Sequence, residues 1–158
     1  MHVSAKSDYA VRALVELAAR RGEPLTADAL AAAQDIPKKF LSSILLDLRR
    51  DGFVLSRRGA EGGYVLARSP AQITVAQVMR AVEGQLADVR SIRPEALSYE
   101  GVTESLQTVW VATRAALRSV LDRTTIADIA AGRLPKHVRA LATPADAFAF
   151  SMSDTTGL

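Results

Sequence analysis

The stretch Gln34–Arg68, QDIPKKFLSSILLDLRRDGFVLSRRGAEGGYVLAR, decides the fold. Pro37 occupies a favoured first helical position, and Gly52 stands where a helix from about Lys38 should end. Within that helix the apolar residues recur at helical spacing. The resulting buried stripe comprises Leu41, Ile44, Leu45 and Leu48. Two short β-prone runs, FVLSR and YVLA, then flank the glycine-containing segment RGAEGG, which predicts a β-hairpin directly after the helix.

Two more helices precede this stretch. Residues 7–21 carry apolar side chains at helical spacing, with Ser7 as a candidate N-cap and Gly22 as the stop. Thr26 is expected to cap a short second helix, ADALAAAQ. The helices on either side of QDIPKK are short and joined by a tight turn, as in a helix-turn-helix. The hairpin that follows makes this a winged helix, so the fold class is mainly α with a small β-hairpin.

A fourth helix and a long fifth helix follow the hairpin. Thr74 with Gln77 has capping-box spacing, and Gly84 ends the fourth helix. The fifth helix is predicted over about 103–124, because its apolar residues alternate by four and three, as in a coiled-coil seam. The seam consists of Leu106, Trp110, Thr113, Leu117 and Val120. Such a helix either packs on its own domain or pairs with its twin, and we favour dimerisation.

These features divide the chain into four predicted units. They are a winged helix-turn-helix DNA-binding domain (1–84), a loop without sustained periodicity (85–102), a dimerisation helix with a short terminal helix begun by Thr125 (103–132), and a flexible tail (133–158). Residues 1–84 hold 12 Lys/Arg against 9 Asp/Glu, whereas the rest of the chain is balanced at 8 and 8. A basic first half beside a neutral second half fits a nucleic-acid reader joined to an assembly or sensing unit.

The start of the third helix and the hairpin loop carry the chemistry that DNA binding needs. In a helix-turn-helix the N-terminal end of the second helix enters the major groove. The donors at that end are Lys38, Lys39, Ser42 and Ser43, all off the buried stripe. In the loop, Arg57 and Arg58 supply charge, while Gly59, Gly62 and Gly63 permit a tight turn and close approach to a minor groove. Period-two alternation separates the two arginines, so Arg58, nearer the tip, is predicted to enter the groove.

Several other function classes do not fit the sequence. A phosphate-binding P-loop needs lysine after its second glycine and a helix behind it, whereas Tyr64 and a strand follow Gly63. There are no cysteines, and His2 and His137 belong to no metal-binding pattern. No Ser–His–Asp set or carboxylate dyad supports an enzyme. No run of about 18 apolar residues and no signal peptide is visible, so we expect a cytoplasmic protein.

Three segments resemble the IscR/NsrR/CymR family of winged-helix regulators over roughly residues 1–130. They are SAKSDYAVRAL, the stretch from IPKKF to YVLAR with its RGxxGGY loop, and ITVAQVMRAVEG. The resemblance implies a homodimeric repressor or activator with the long helix as its dimerisation helix. It also implies that Lys39, Ser42 and Ser43 read the major groove and that Arg58 enters the minor groove.

The segment before the dimerisation helix departs from this family. Many members hold an iron–sulfur cluster there with three cysteines and a fourth ligand. Here Ser91, residues 97–98 and Glu104 stand near the cysteine positions. Gln107 stands where some members place a histidine. Asp8 matches the position of an aspartate that serves as a cluster ligand in one branch of the family. Serine, leucine and glutamine cannot replace thiolates in iron–sulfide chemistry, so we predict no cluster, no metal site and no cofactor. The candidate sensor-loop residues are Asp88, Ser91, Tyr99 and Glu104.

The sequence therefore predicts a homodimeric, sequence-specific DNA-binding transcriptional regulator, a repressor acting on a pseudo-palindromic operator. In the absence of a cluster, we expect a small ligand or a partner protein to control the regulator. Tyr99, Trp110 and Met79 are either core residues or the lining of a ligand pocket. The alternative function is a protein-interaction regulator of cysteine or sulfur metabolism that acts through a partner enzyme with weak or no direct DNA binding.

Overall fold

The structure, a computed structural model, describes residues 3–143. The helices and strands in that range are α1 (Ala5–Ala19), α2 (Ala27–Gln34), α3 (Lys38–Arg50), β1 (Val54–Arg57), β2 (Gly63–Leu66), α4 (Val75–Glu83), α5 (Leu106–Leu121), α6 (Ile126–Ala130) and α7 (Lys136–Ala142). Short 3-10 turns lie at Pro70–Gln72, Pro94–Ala96 and Gly101–Thr103. The architecture is mainly helical with one antiparallel hairpin, which confirms the predicted fold class. No helix of the described range is long and apolar enough to cross a membrane.

One apolar core holds the N-terminal helices and the base of the hairpin together. The predicted stripe of α3 is fully buried there. It packs with Leu14 and Leu17 of α1, Leu30 of α2, Val54 of β1 and Val78 of α4. Because only one face of α3 is buried, the opposite face is available at the surface.

Two helix ends test the capping predictions. Thr74 and Gln77 form the expected capping box, and Gly84 follows the last residue of α4. The prediction for α1 is wrong, because the cap is Ser4, whose side chain accepts a hydrogen bond from Ser7 N at 3.1 Å. Ser7 is a buried residue inside the helix. Both serines have cap chemistry, and tertiary packing selects the earlier one.

The end of α5 returns to the N-terminal core. Ile126, the first residue of α6, is fully buried in that core. Its backbone N donates to Ile73 O at 2.9 Å, and Val75 N donates to Thr124 O at 2.9 Å. The sequence grouped α6 with the predicted dimerisation helix, whereas the structure packs α6 against α1 and the turn Pro70–Gln72.

The segment predicted as a flexible tail begins with a helix. Lys136–Ala142 forms α7 after Pro135, and the composition of this run, with Ala, Leu, Lys and Arg, favours a helix. His137 Nε2 lies 2.9 Å from Ser119 O on α5. The prediction of a loose tail is therefore corrected for these residues. His2 and residues 144–158 lie outside the described part of the chain.

Candidate DNA-binding interface

A tight turn places the start of α3 at the surface. Asp35 closes α2 in the left-handed region, with φ of 49°. Ile36 is buried, and its backbone N donates to Ala31 O at 2.9 Å. Pro37 O then accepts the first hydrogen bond of α3, from Leu41 N at 3.0 Å. This turn fixes α2 against α3 and leaves the first turn of α3 exposed.

The four predicted recognition residues share this exposed end. Lys38, Lys39, Ser42 and Ser43 are all exposed. Lys38 Nζ lies 3.0 Å from Asp28 Oδ1 on α2, and Ser42 Oγ donates to Lys38 O at 2.9 Å. Lys39 has no ion pair within residues 3–143. Lys39 and Ser43 are thus better placed than Lys38 and Ser42 to reach a ligand without breaking an internal contact.

The sequence analysis missed two apolar residues on the same helix. Phe40 is 55% exposed and Leu46 is 57% exposed. The ring of Phe40 meets Tyr9 of α1 edge to face, with centroids 6.3 Å apart. The exposure of both residues could be predicted from the sequence, because positions 40 and 46 lie outside the buried stripe of Leu41, Ile44, Leu45 and Leu48.

The wing is a hairpin with a glycine-closed tip. Arg57 pairs with Gly63 at the end of the two strands, and Arg58 begins the loop beyond that pair. Gly59 has φ of 108°, and Gly62 N donates to Gly59 O at 3.0 Å. A Cβ on Gly62 would overlap the carbonyl oxygen of Arg57. The turn therefore needs glycine at both positions, and it presents Arg58 at its exposed start.

The segment between α1 and α2 connects the wing to the helical core through hydrogen bonds. Leu25 N donates to Tyr64 O at 3.1 Å, and Tyr64 N donates to Leu25 O at 2.7 Å. Gly63 has φ of 148°, and a Cβ there would overlap the Leu25 carbonyl. The sequence analysis assigned Gly63 to groove entry. In the structure Gly63 allows the wing to pair with the segment between α1 and α2.

A polar clamp fixes α3 against its neighbours. Lys6 Nζ lies 2.8 Å from Asp47 Oδ2 and also donates to Val82 O at 3.0 Å. Asp47 Oδ1 accepts from Arg50 at 3.0 Å. The hydrogen bond from Lys6 is the main reason why the pKa of Asp47 lies below its ordinary value. One side chain of α1 thus joins the body of α3 to the end of α4.

We expect Asp47→Asn to lower the free energy of unfolding at pH 7 by about 1.5–3 kcal/mol, the usual contribution of a hydrogen bond to a charged group. A lowered pKa means that this stabilisation is complete above the unfolded-state pKa, near 3.9, and is lost as the pH falls through the folded-state value. Urea denaturation at pH 7 and near pH 3 measures both. The control is Asp51→Asn, which removes a more exposed carboxylate paired with Arg50. Equal losses in the two variants would contradict the clamp.

The candidate sensor-loop residues do not form one cluster. Asp88 lines an open cavity of about 420 Å³ together with Met79 and Trp110. Tyr99 is not among the residues that line it, although the sequence placed Tyr99 with them. Ser91 sits at φ of 62° in an exposed turn closed between Val89 and Ile92. Glu104 is exposed just before α5.

The same positions do not fit an iron–sulfur cluster. The groups near the family's cysteine positions are the Ser91 hydroxyl, the buried Leu97, Ser98 and the Glu104 carboxylate. Soft iron–sulfide centres are held by thiolates, and the chain has no cysteine. Gln107 Nε2 donates to the carbonyls of Glu95 and Leu97, so the amide that replaces a histidine fastens the loop to α5.

The predicted seam of α5 lies partly against its own chain. Leu106, Trp110, Leu117 and Val120 are half-buried, and Thr113 is exposed. Trp110, Thr113 and Leu117 line the cavity beside α4. On another face of the helix, Val109 is 51% exposed and Ala112 and Ala116 are also exposed. No residue of this 16-residue helix is fully buried.

The order of helices, the tight turn and the hairpin define a winged helix-turn-helix protein. A profile of the Rrf2 family, described as an iron-dependent transcriptional regulator, matches residues 3–132. The chain belongs to this family, and we describe it as an Rrf2-family transcriptional regulator. A Mycobacterium tuberculosis protein named "Putative HTH-type transcriptional regulator Rv1287" is 53% identical over 143 residues, which is 90% of this chain and 89% of that one.

Two solved structures share the fold and sequence similarity. The structure of CymR (YrzC), the global cysteine regulator of B. subtilis, superposes with a TM-score of 0.71 at 32% identity and covers 84% of this chain and 98% of that one. IscR of T. potens superposes with a TM-score of 0.68 at 31% identity, covering 84% and 88%. The similarity therefore extends from the winged helix into α5.

Proposed function

We propose that the protein is a homodimeric repressor that binds a pseudo-palindromic DNA operator in the cytoplasm. The observation that carries this proposal is the exposure of two sets of cationic and polar groups on one rigid frame. The first turn of α3 offers Lys39 and Ser43, and the wing offers Arg58. Helix starts of this kind donate to base edges in the major groove, and an arginine beside small residues suits a minor groove.

The exposed aromatic at the start of α3 adds an apolar contact to this interface. Phe40 follows Lys39 in the sequence, and its ring packs edge to face against the ring of Tyr9. An apolar side chain in the major groove contacts the methyl group of thymine. We therefore propose Phe40 as a reader of thymine that complements the polar residues Lys39 and Ser43.

Helix α5 supplies the dimer interface in this proposal. A helix without a buried residue gains little from its own chain, and the exposed Val109, Ala112 and Ala116 permit close approach of a second copy. The half-buried seam residues Leu106 and Val120 border that face. Pairing about the α5 axis would give two recognition helices, which meet half-sites about 34–36 Å apart on DNA.

Substitution of Arg58 tests the wing. We expect Arg58→Ala to weaken operator binding about tenfold, most strongly at A/T-rich flanks, and to reduce the salt dependence by about one phosphate contact. Fluorescence anisotropy with upstream DNA of the protein's own gene measures both quantities. The matched control is Arg133→Ala, which removes an exposed arginine after α6. Equal affinities for the wild type and Arg58→Ala would refute the wing assignment.

The controlling signal is a small ligand or a partner protein in this proposal. The similarity to a protein described as a global cysteine regulator favours one alternative, a regulator of cysteine or sulfur metabolism that acts through a partner enzyme. The anisotropy titration separates the two functions. Salt-dependent, sequence-selective binding supports the DNA-binding regulator, whereas binding no stronger than to random DNA supports the partner-mediated alternative.

A further inference from the structure

A recess between α4, the following loop and α5 is lined by four arginines. They are Arg80, Arg93, Arg114 and Arg118, and Gly84, Gln85 and Leu86 complete the wall. The recess has a volume of about 210 Å³, and none of its lining residues within the described range 3–143 is acidic. It adjoins the cavity beside Trp110, since Gln85 and Leu86 line both. Neither the DNA interface nor the proposed dimer face uses these arginines.

Two carboxylates form ion pairs with these arginines. Asp122 bridges two of the arginines, with Arg80 Nη2 at 2.9 Å and Arg118 Nε at 2.9 Å. Glu95 pairs with Arg114 at 2.9 Å. Arg93 contacts the neutral Gln85 through its Nε, at 3.4 Å from Oε1. Within residues 3–143 the four guanidinium groups thus form ion pairs with two carboxylates only, while Glu83 and Asp88 line the adjoining cavity without an ion pair to these arginines.

Asp122 keeps its negative charge in this setting. Burial acts to raise the pKa of the carboxyl group, but hydrogen bonds from Arg118 and Arg80 outweigh it and hold the pKa below its ordinary value. The carboxylate of Asp122 is therefore already paired with two arginines. It is not available to neutralise Arg93 or Arg114.

Arg114 has a donor without an acceptor. Its side chain is 17% exposed, and its Nε is buried without a hydrogen-bond partner within residues 3–143. A buried charged donor left unsatisfied is costly, because water no longer solvates it. A ligand whose oxygen acceptors reached this nitrogen would remove that cost.

We propose that this recess binds a small anion that carries a carboxylate or phosphate group. The planar guanidinium fork matches both groups through paired N–H donors, and the volume accommodates inorganic phosphate or a short dicarboxylate. The role of this anion as the signal that controls the regulator rests on the proposed function. The binding of the anion to the recess does not depend on DNA binding.

The position of the recess explains how such an anion would influence the winged helix. Arg80 belongs to α4, which packs in the N-terminal core, whereas Arg114 and Arg118 belong to α5. Arg93 comes from the loop between them. An anion held by all three elements fixes the angle of α5 relative to α3, and this angle sets the spacing of the two recognition helices in a dimer.

The experiment titrates the full-length protein with inorganic phosphate in one arm and succinate in the other, with sodium chloride at matched ionic strength as the reference. Trp110 is the single tryptophan and lies one helical turn before Arg114, so its fluorescence reports on the recess, and calorimetry gives the stoichiometry. We expect one saturable site per chain for at least one anion. The arm that saturates identifies the ligand as phosphate-like or dicarboxylate-like.

Two variants assign the site to the recess. Arg93→Gln removes an exposed arginine without an ion pair in the described chain, so the fold should persist, and we expect affinity to fall about tenfold. Arg123→Gln removes an exposed arginine at the end of α5 that does not line the recess, and affinity should not change. Unsaturable titrations in both arms, an equal response to chloride, or equal losses in the two variants would overturn the proposal.

Operator binding is measured separately in the absence of either anion. Failure of that measurement counts against the proposed DNA-binding function and leaves the anion titration to be judged alone. When both succeed, a saturating anion is expected to change operator affinity in the wild type and to leave it unchanged in Arg93→Gln.

Discussion

Gly63→Ala is expected to detach the wing and to lower the free energy of unfolding by about 3 kcal/mol, through two effects. A residue with a Cβ at positive φ costs roughly 1–2 kcal/mol, and Gly63 has φ of 148°. The new Cβ would also overlap the Leu25 carbonyl, which separates Leu25 from Tyr64 and breaks the two hydrogen bonds between them. Each of those bonds contributes about 1 kcal/mol.

Gly59→Ala is the matched control for this variant. Gly59 lies in the same loop at φ of 108°, but a Cβ there meets nothing within 4 Å. It should therefore lose only the conformational part, roughly 1–2 kcal/mol. Urea denaturation gives both values, and DNA anisotropy is expected to show the greater loss for Gly63→Ala, since Arg58 is no longer held. Equal destabilisation of the two variants would show that the Leu25–Tyr64 pairing does not support the wing.

This contrast shows where sequence reasoning about the wing succeeds and where it ends. The β-prone runs around a glycine-rich loop predict a hairpin, because alternation and turn chemistry are local properties. Leu25 and Tyr64 are far apart in the sequence, and a single pair of hydrogen-bonded residues produces no periodic pattern of side chains from which the pairing could be predicted. Gly63 is therefore identifiable as a turn residue from the sequence, whereas its close approach to Leu25 requires the fold.

The exposed face of α3 was predictable for a similar reason. The stripe at Leu41, Ile44, Leu45 and Leu48 determines which face of α3 is buried, and the exposed positions follow by subtraction. The exposure of Phe40 follows from the same pattern, because position 40 lies outside the buried stripe. The ion pair of Lys38 with Asp28 could not, because it depends on the angle that the turn sets between α2 and α3.

The region after α4 was less predictable. Residues 85–102 have no period, so their side chains cannot be assigned to a face, and only the structure separates Tyr99 from the cavity that Asp88 and Trp110 line. The arginine recess draws on α4, the loop and α5, and spacing along one helix reveals only Arg114 and Arg118. The return of α6 to the N-terminal core was likewise not visible, because a five-residue helix carries too little pattern.

Ile126→Ala is expected to lower the free energy of unfolding by about 3 kcal/mol, which is in the usual range for deletion of a fully buried isoleucine side chain. Ile126 fills the core beside Ile73, and its backbone is hydrogen-bonded to the same residue at 2.9 Å. The matched control is Ile129→Ala in the same helix, where the side chain is half-buried, so a smaller loss of about 1 kcal/mol is expected. Urea denaturation measures both.

The consequence of this variant for function follows from the position of Ile126. It is the first residue of α6, five residues after the end of α5, and it anchors that end to the core that holds α3. If α5 joins two copies, loosening this anchor lets the two recognition helices vary in spacing. Operator affinity should then fall in Ile126→Ala at a temperature where the protein is fully folded, while binding to a single half-site falls less. Equal losses on the full operator and the half-site would mean that the anchor supports stability alone and does not transmit the geometry of α5 to the recognition helix.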